Sequence, residues 1–297
     1  MASVPAPIPQ AAQVLVEVRH ISLNPGEIHM AASGIFPPQL ILGWDAAGVV
    51  VSSAREPGES GRTTGEFGPA LGDRVVTHGR SGGWAQRRTT TVDNLAIVPD
   101  NVDLAAAAAI PVAASTALGA LRAAGPTLGQ RVLITGASGG VGRFAVQLAA
   151  LGGAHVIASV GSERKAKGLL ALGADEVIIG LHGVVEPVDI ILDAVGGPQL
   201  VEAFGLLAPG GVLQSFGGVS DQPAVFPPYS TVGPPRSISS FELPSSLAPD
   251  LEILVGLLAE GRLTVDIGWR GPWEQHCDAV EELLGRRVNG KVVLDVT

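Results

Sequence analysis

The run Arg131-Val132-Leu133-Ile134-Thr135-Gly136-Ala137-Ser138-Gly139-Gly140-Val141-Gly142, continuing into Arg143-Phe144-Ala145-Val146-Gln147-Leu148-Ala149, constrains this chain more than any other stretch. The β-branched and aliphatic run 132–134 predicts a short strand buried on both faces. After the glycines, Val141, Phe144, Ala145 and Leu148 recur at helical spacing. A strand, a glycine turn and a helix in that order open a dinucleotide-binding unit. The glycines let the backbone approach a pyrophosphate, whose charge lies at the helix N-terminus. Against G-x-G-x-x-G, Ala137 stands in the first glycine's place, with Gly139 and Gly142 in the other two. A further apolar strand at 155–159 supplies the context such a turn needs. Gly136, Ala137, Ser138, Gly139, Gly140, Val141 and Gly142 are therefore the candidate phosphate-binding residues.

From residue 131 onward, strands at 132–134, 155–159, 176–179, 188–192 and 211–216 alternate with helices at 141–151, 162–172 and 198–207. Gly173 is placed to close the second of these helices. This succession predicts a doubly wound parallel sheet. The first hundred residues read differently, as short strands separated by glycine turns at 14–18, 43–51, 72–76 and 92–98, with a polar loop at 52–71. That is the pattern of a β-rich, barrel-like domain. Asp103 is a cap for a helix over 104–110, and a second helix is expected over 115–123. Beyond the proline-rich 223–235, a strand at 237–243, a helix at 249–260, a strand at 263–267, a helix at 273–285 and a strand at 292–296 complete the chain. The expected division is 1–110, completed by 264–297, and 111–263.

A length of 297 residues suits about two domains. The net charge of −9, without a basic block, argues against a nucleic-acid partner. The longest apolar run, 104–121, is interrupted by Pro111, Ser115, Thr116 and Gly119, so no membrane span is expected. Residues 1–13 lack the charged start and apolar centre of a secretory signal. The single cysteine, Cys277, rules out an internal disulfide framework. A cytoplasmic protein is expected.

Several short motifs in order extend the reading: Asn24-Pro25 with Glu27; Gly43-Trp44-Asp45-Ala46-Ala47-Gly48-Val49-Val50; Gly72-Asp73-Arg74-Val75; Gly82-Gly83-Trp84-Ala85; the 131–142 turn; Leu172-Gly173-Ala174-Asp175; Leu192-Asp193-Ala194-Val195-Gly196-Gly197; and Gly290-Lys291-Val292-Val293-Leu294. From residue 14 to the C-terminus the set resembles the zinc-free, quinone oxidoreductase-like branch of the medium-chain dehydrogenase/reductase superfamily. The resemblance implies an α/β fold: a GroES-like β-barrel substrate domain, completed by the C-terminal segment, beside a Rossmann domain. It also implies a homodimer joined through Rossmann edge strands, for which 237–243 is the candidate. Zinc-dependent branches bind catalytic metal through a cysteine and a histidine, and often a second zinc through four cysteines. Cys277 alone supplies neither set, and the six histidines show no ligand-type spacing. No metal is expected.

The resemblance further implies NADPH as cofactor and hydride transfer to a quinone or an α,β-unsaturated carbonyl. Ser162 and Lys165 match the family residues that hold the 2′-phosphate, and Arg164 adds charge. Ser162 as a plain helix cap among solvated charges is the competing reading, and Glu163 as a ribose ligand would favour NADH. Asn24 matches the family asparagine near the nicotinamide. In N-x-x-D-x-Y, Glu27 replaces the aspartate and His29 the tyrosine. A histidine there can donate a proton near neutrality, or it is a polar rim residue. Thr116 matches a threonine beside the nicotinamide amide, or it bonds its own helix. Asn289 and Lys291 can meet the cofactor or lie in a solvated turn. Phe216-Gly217 follows a strand ending at the cofactor, with Phe216 equally suited to the core. Two alternatives stand beside the quinone/enone reductase: an enoyl reductase of a polyketide-like pathway, and a non-catalytic NADPH-binding regulator.

Overall fold

The computed structural model describes residues 3–10, 12–37, 39–53 and 68–296; most of the expected polar loop 52–71 lies outside them. The chain opens with β1 (Gln13–Leu23), α1 (Pro25–Ala32), β2 (Asp45–Ser53), β3 (Arg74–His78), β4 (Arg87–Thr91) and β5 (Leu95–Ile97). It continues through α2 (Leu104–Ala108) and α3 (Pro111–Ala124). The alternating part is β6 (Arg131–Ile134), α4 (Gly140–Leu151), β7 (His155–Val160), α5 (Glu163–Ala166), β8 (Glu176–Ile179), β9 (Val188–Asp193), α6 (Gly197–Gly205), β10 (Leu207–Ser215) and β11 (Ser237–Ser240). The last elements are α7 (Ala248–Ala259), β12 (Ile267–Pro272), α8 (His276–Leu284) and β13 (Lys291–Asp295).

These elements form two compact units, Met1–Ser115 with Pro244–Thr297, and Thr116–Leu243. The expected division at 263 falls too late. Leu247 donates its N–H to Asp93 O at 3.0 Å, and α7 packs on β5, so α7 belongs to the first unit.

In the first unit β1 is the organising strand, with β13, β2 and β4 all antiparallel to it. It runs past the expected 14–18 because two register irregularities against β2 let the strand bend without ending. The sheet order is β12-β13-β1-β2-β3-β5, with β4 on β1. Val18, Ile21, Leu23, Val292 and Leu294 form a core with Ala279 of α8. The strand expected at 263–267 is instead β12, an edge strand parallel to β13. Its pattern of exposed and half-buried positions, with Gly268, Gly271 and Pro272, carries little of the apolar signal that marks an interior strand.

The second unit is a parallel sheet in the order β11-β10-β9-β6-β7-β8. Leu133, Ile157, Ile191 and Leu213 from four adjacent strands pack with Leu200, Ala203 and Phe204 of α6. Sequence order runs outward from β6 in both directions, so the topological switch point lies between β6 and β9. The helix expected over 162–172 is much shorter, because α5 stops at Ala166. Lys167 takes extended backbone (φ −56°, ψ 127°) and Gly168 a positive φ of +84°. Gly173 (φ +103°) thus closes a series of turns, not a helix.

Candidate functional site

Each unit carries its own cluster of candidate residues. In the parallel-sheet unit, the chain leaves β6 and turns at Gly136, whose φ of +62° needs no Cβ. Gly139 caps α4 with extended backbone and donates its N–H to Gly136 O at 3.0 Å. At Gly142 a Cβ would lie 2.5 Å from Gly136 O and 2.6 Å from Ala137 Cα. Both are backbone atoms that cannot step aside, so only glycine closes this turn. The N–H groups of Gly140, Val141 and Gly142 have no intrahelical acceptor by geometry, and the first turn holds no acidic side chain. Ala137 and Ser138 are buried beneath the turn, and Ala137 N–H donates to Ser159 O of β7 at 3.0 Å.

Thr135 and Asp193 hold the strand ends beside this turn, a pairing the sequence reading missed. Thr135 Oγ1 donates to Asp193 Oδ1 at 2.6 Å and accepts from Ala194 N at 3.2 Å. Asp193 also accepts from Gly196 N at 2.9 Å and Val195 N at 3.3 Å. Burial pushes its carboxyl above the usual range against these three bonds. Phe216, half-buried, donates its N–H to Asp193 O at 3.1 Å. A Cβ at Gly217 would lie 2.5 Å from Ala194 O. The structure therefore brings Phe216 and Gly217 to the same strand ends as the glycine turn. Ser162, Arg164 and Lys165 follow β7. Ser162 takes the cap position of α5, but its side chain makes no capping bond. Thr116 is buried on α3.

In the antiparallel unit the sequence candidates Asn24 and Lys291 meet in a buried polar network. Lys291 Nζ donates to Asn24 Oδ1 at 2.7 Å and Leu23 O at 3.2 Å, and lies 3.9 Å from Asp45 Oδ2. Its acceptor fixes the Asn24 amide, whose Nδ2 donates to Asp45 Oδ2 at 2.9 Å. Asp45 is fully buried, accepts from Val112 N at 3.2 Å, and has His78 Nδ1 at 3.6 Å. Burial lowers the Lys291 pKa, opposed by Asp45 and Glu27. Glu27 closes a capping box on Asn24 N at 2.8 Å and reaches Trp44 N at 2.8 Å. Burial, helped by Asp45, pushes its carboxyl up to about 7.

Arg88, which no motif singled out, is buried under the same strands. Its guanidinium donates to Trp44 O at 2.9 Å, Thr77 Oγ1 at 3.1 Å and Ser81 O at 3.2 Å, and burial pulls its pKa down to about 10. Burial nearly alternates along 87–91, but the sequence there, Arg-Arg-Thr-Thr-Thr, carries no apolar alternation to show it. His29 is exposed in the last turn of α1, and Asn289 lies half-buried in the turn before β13. Among the described residues no three His, Cys, Asp or Glu side chains gather to hold a metal ion, and Cys277 is exposed.

A parallel sheet whose glycine turn opens a helix at the switch point defines a dinucleotide-binding domain. Comparison with known proteins gives the class. Residues 10–100 match the alcohol dehydrogenase GroES-like domain and residues 140–259 the zinc-binding dehydrogenase family. Quinone oxidoreductase of Sus scrofa is 30% identical over 97% of this chain and 90% of that protein. Erythronolide synthase EryA2 of Saccharopolyspora erythraea is 36% identical over 70% of this chain, a segment that makes up 6% of the synthase. A mycobacterial structure complexed with NADPH superposes with a TM-score of 0.85 at 25% identity, covering 99% of this chain and 94% of that one.

The chain belongs to the medium-chain dehydrogenase/reductase superfamily, in its quinone oxidoreductase-like branch. It is an oxidoreductase of a family that works with a nicotinamide cofactor on small molecules. No helix among the described residues is long and apolar enough to cross a membrane.

Proposed function

We propose that this chain is an NADPH-dependent reductase that acts on a quinone or an α,β-unsaturated carbonyl without a metal. The observation that carries the metal-free reading is the Lys291–Asn24–Asp45 lock. An ammonium group already neutralises the buried carboxyl group, and both ends of the Asn24 amide are engaged by protein partners. A divalent cation would have to displace a buried charge of its own sign. The zinc in the description of the matched dehydrogenase family has no cysteine to hold it here, since the single Cys277 is exposed on α8.

The residues present fit the cofactor. The close packing that admits no Cβ at Gly142 holds α4 against the turn with its first-turn N–H groups free of intrahelical acceptors, the donors a pyrophosphate takes. Ser162, Arg164 and Lys165 provide the polar and cationic set a 2′-phosphate requires. Bound NADPH supplies hydride from its nicotinamide C4. Phe216, Gly217, Thr116 and Asn289 line the cofactor in this reading, and Lys291 holds Asn24 in one orientation as a positioning pair. His29 donates the proton to the enolate or quinol oxygen, its exposure keeping it in exchange with water.

A second reading has support of its own. The 36% identity to a segment of erythronolide synthase EryA2 favours an enoyl reductase acting on a biosynthetic, polyketide-like intermediate. A non-catalytic NADPH-binding regulator is the third. We place the chain in the cytoplasm as a homodimer joined through β11, an exposed strand at the sheet edge.

Titration with NADPH and NADH, followed by absorbance loss at the nicotinamide band with a panel of quinones and enones, tests the reading. Oxidation by one acceptor class supports it and selects the acceptor. Tight binding without turnover moves the assignment to the regulator, and no binding sinks the cofactor site. In an active enzyme, His29→Gln is expected to lower kcat about a hundredfold if it is the proton donor, with the cofactor Kd unchanged.

A further inference from the structure

Arg143 is a buried cation where helix stability disfavours one. It lies one residue past Gly142, is 7% exposed, and donates its N–H to Gly139 O at 3.0 Å in the opening turns of α4. The positive end of the helix dipole opposes a cation there, and burying a guanidinium requires hydrogen-bond acceptors. The side chain does not turn back to an acidic neighbour in the first turn, which has none. It runs across to the segment after β7. Arg143 Nη1 donates to Lys167 O at 3.3 Å, and a Cβ at Gly168 would lie 2.9 Å from Nη2.

The guanidinium thus sits under the backbone of 167–168, the bend at which α5 stops. That bend needs the extended conformation of Lys167 and the positive φ of +84° at Gly168, and a Cβ at 168 would make the Arg143 guanidinium shift from its place. The segment it supports holds Arg164, Lys165 and Lys167 against Glu163 alone, in a chain whose net charge is −9. Helix end, guanidinium and basic segment together gather positive charge on one side of the glycine turn. Such a field suits an anion beyond the pyrophosphate itself.

We propose that Arg143 is a positioning residue for the adenosine 2′-phosphate, setting preference for NADPH over NADH. By holding Lys167 O it fixes the bend of 162–168 and so presents Ser162, Arg164 and Lys165 to that phosphate. It acts through this segment and does not itself touch the cofactor. The inference rests on the NADPH reading above.

Calorimetric titration with 2′,5′-ADP and 5′-AMP separates the two claims without turnover. The wild type should bind 2′,5′-ADP at least about tenfold more tightly than 5′-AMP, the worth of one or two charge-assisted bonds. Arg143→Leu should lose about tenfold on 2′,5′-ADP while 5′-AMP stays within about twofold. Arg143→Lys, which keeps one donor and the charge, should recover most of the loss. Equal weakening of both nucleotides would show general support of α4 and overturn the proposal, as would no change in either. A wild type that does not discriminate would sink the NADPH reading, and this inference with it. Should Arg143→Leu fail to fold by thermal melt, Arg143→Gln carries the test, with an expected loss of about threefold or more on 2′,5′-ADP alone.

Discussion

Glu27 accepts hydrogen bonds from two backbone N–H groups, yet burial outweighs them and holds its carboxyl at about 7 instead of 4.5. Because the folded pKa lies above the unfolded one, the unfolded chain loses this proton first as pH rises. The contribution is fully present below about 4.5 and is lost by about 7, roughly 3 kcal/mol in all. Urea denaturation at pH 5 and pH 7.5 should show this decline in the wild type. Glu27→Gln should flatten it, while lowering stability at both pH values by about 1–3 kcal/mol, since its amide NH2 faces a backbone N–H. A wild-type slope of the opposite sign would show that the two backbone bonds dominate. Lys291→Met tests the other half of the network. It removes the ammonium between Asn24 and Asp45 and should cost about 3 kcal/mol in the same assay. The motifs named Asn24 and Lys291, but not that the two side chains touch. That contact is set by β13 pairing with β1, between residues more than 260 positions apart in sequence. Arg88 was invisible for a related reason, because its charge masks a buried position.

At the scale of elements, the strands and helices from β6 to β10 were legible because buried strands read as continuous apolar runs and helices show a spacing of three to four. α5 was overread. Residues 162–172 have helix-forming composition, but Gly168 and the support from Arg143 impose a bend that composition does not encode. β12 was misplaced because an edge strand buries too little to leave a pattern. The β6–α4 turn was the most legible element, since a steric exclusion of Cβ fixes its residue types. Gly142→Ala must push a methyl against Gly136 O and Ala137 Cα, so it should weaken binding of the nicotinamide cofactor at least about tenfold in a fluorescence titration. Thr135→Val leaves Asp193 without its 2.6 Å donor and should lower stability by about 2 kcal/mol. Thr135→Ser, which keeps the hydroxyl, should stay within about 1 kcal/mol of wild type. A larger loss in Thr135→Ser than in Thr135→Val, which keeps a methyl, would assign the effect to the methyl group and not the bond.

The two units differ in how the chain builds them. The parallel-sheet unit is continuous from 116 to 243, whereas the antiparallel unit needs both ends of the chain. β13 lies between β12 and β1 in its sheet, and Val292, Val293, Leu294 and Val296 are all buried. Ending the chain at Val288 removes these four side chains, worth about 6–10 kcal/mol of burial, together with the Lys291 bonds. That loss rivals the entire stability of a typical domain. Amide hydrogen exchange on the truncated chain should therefore show protection lost in β1, β2 and β3. Protection in β6, β7, β9 and β10 should persist, because none of their sheet partners lies beyond residue 240. Retained protection in β1 would mean that the N-terminal strands close a core without β13. Loss in both groups would mean that the parallel sheet depends on the antiparallel unit for its stability, despite a continuous chain and a core of its own.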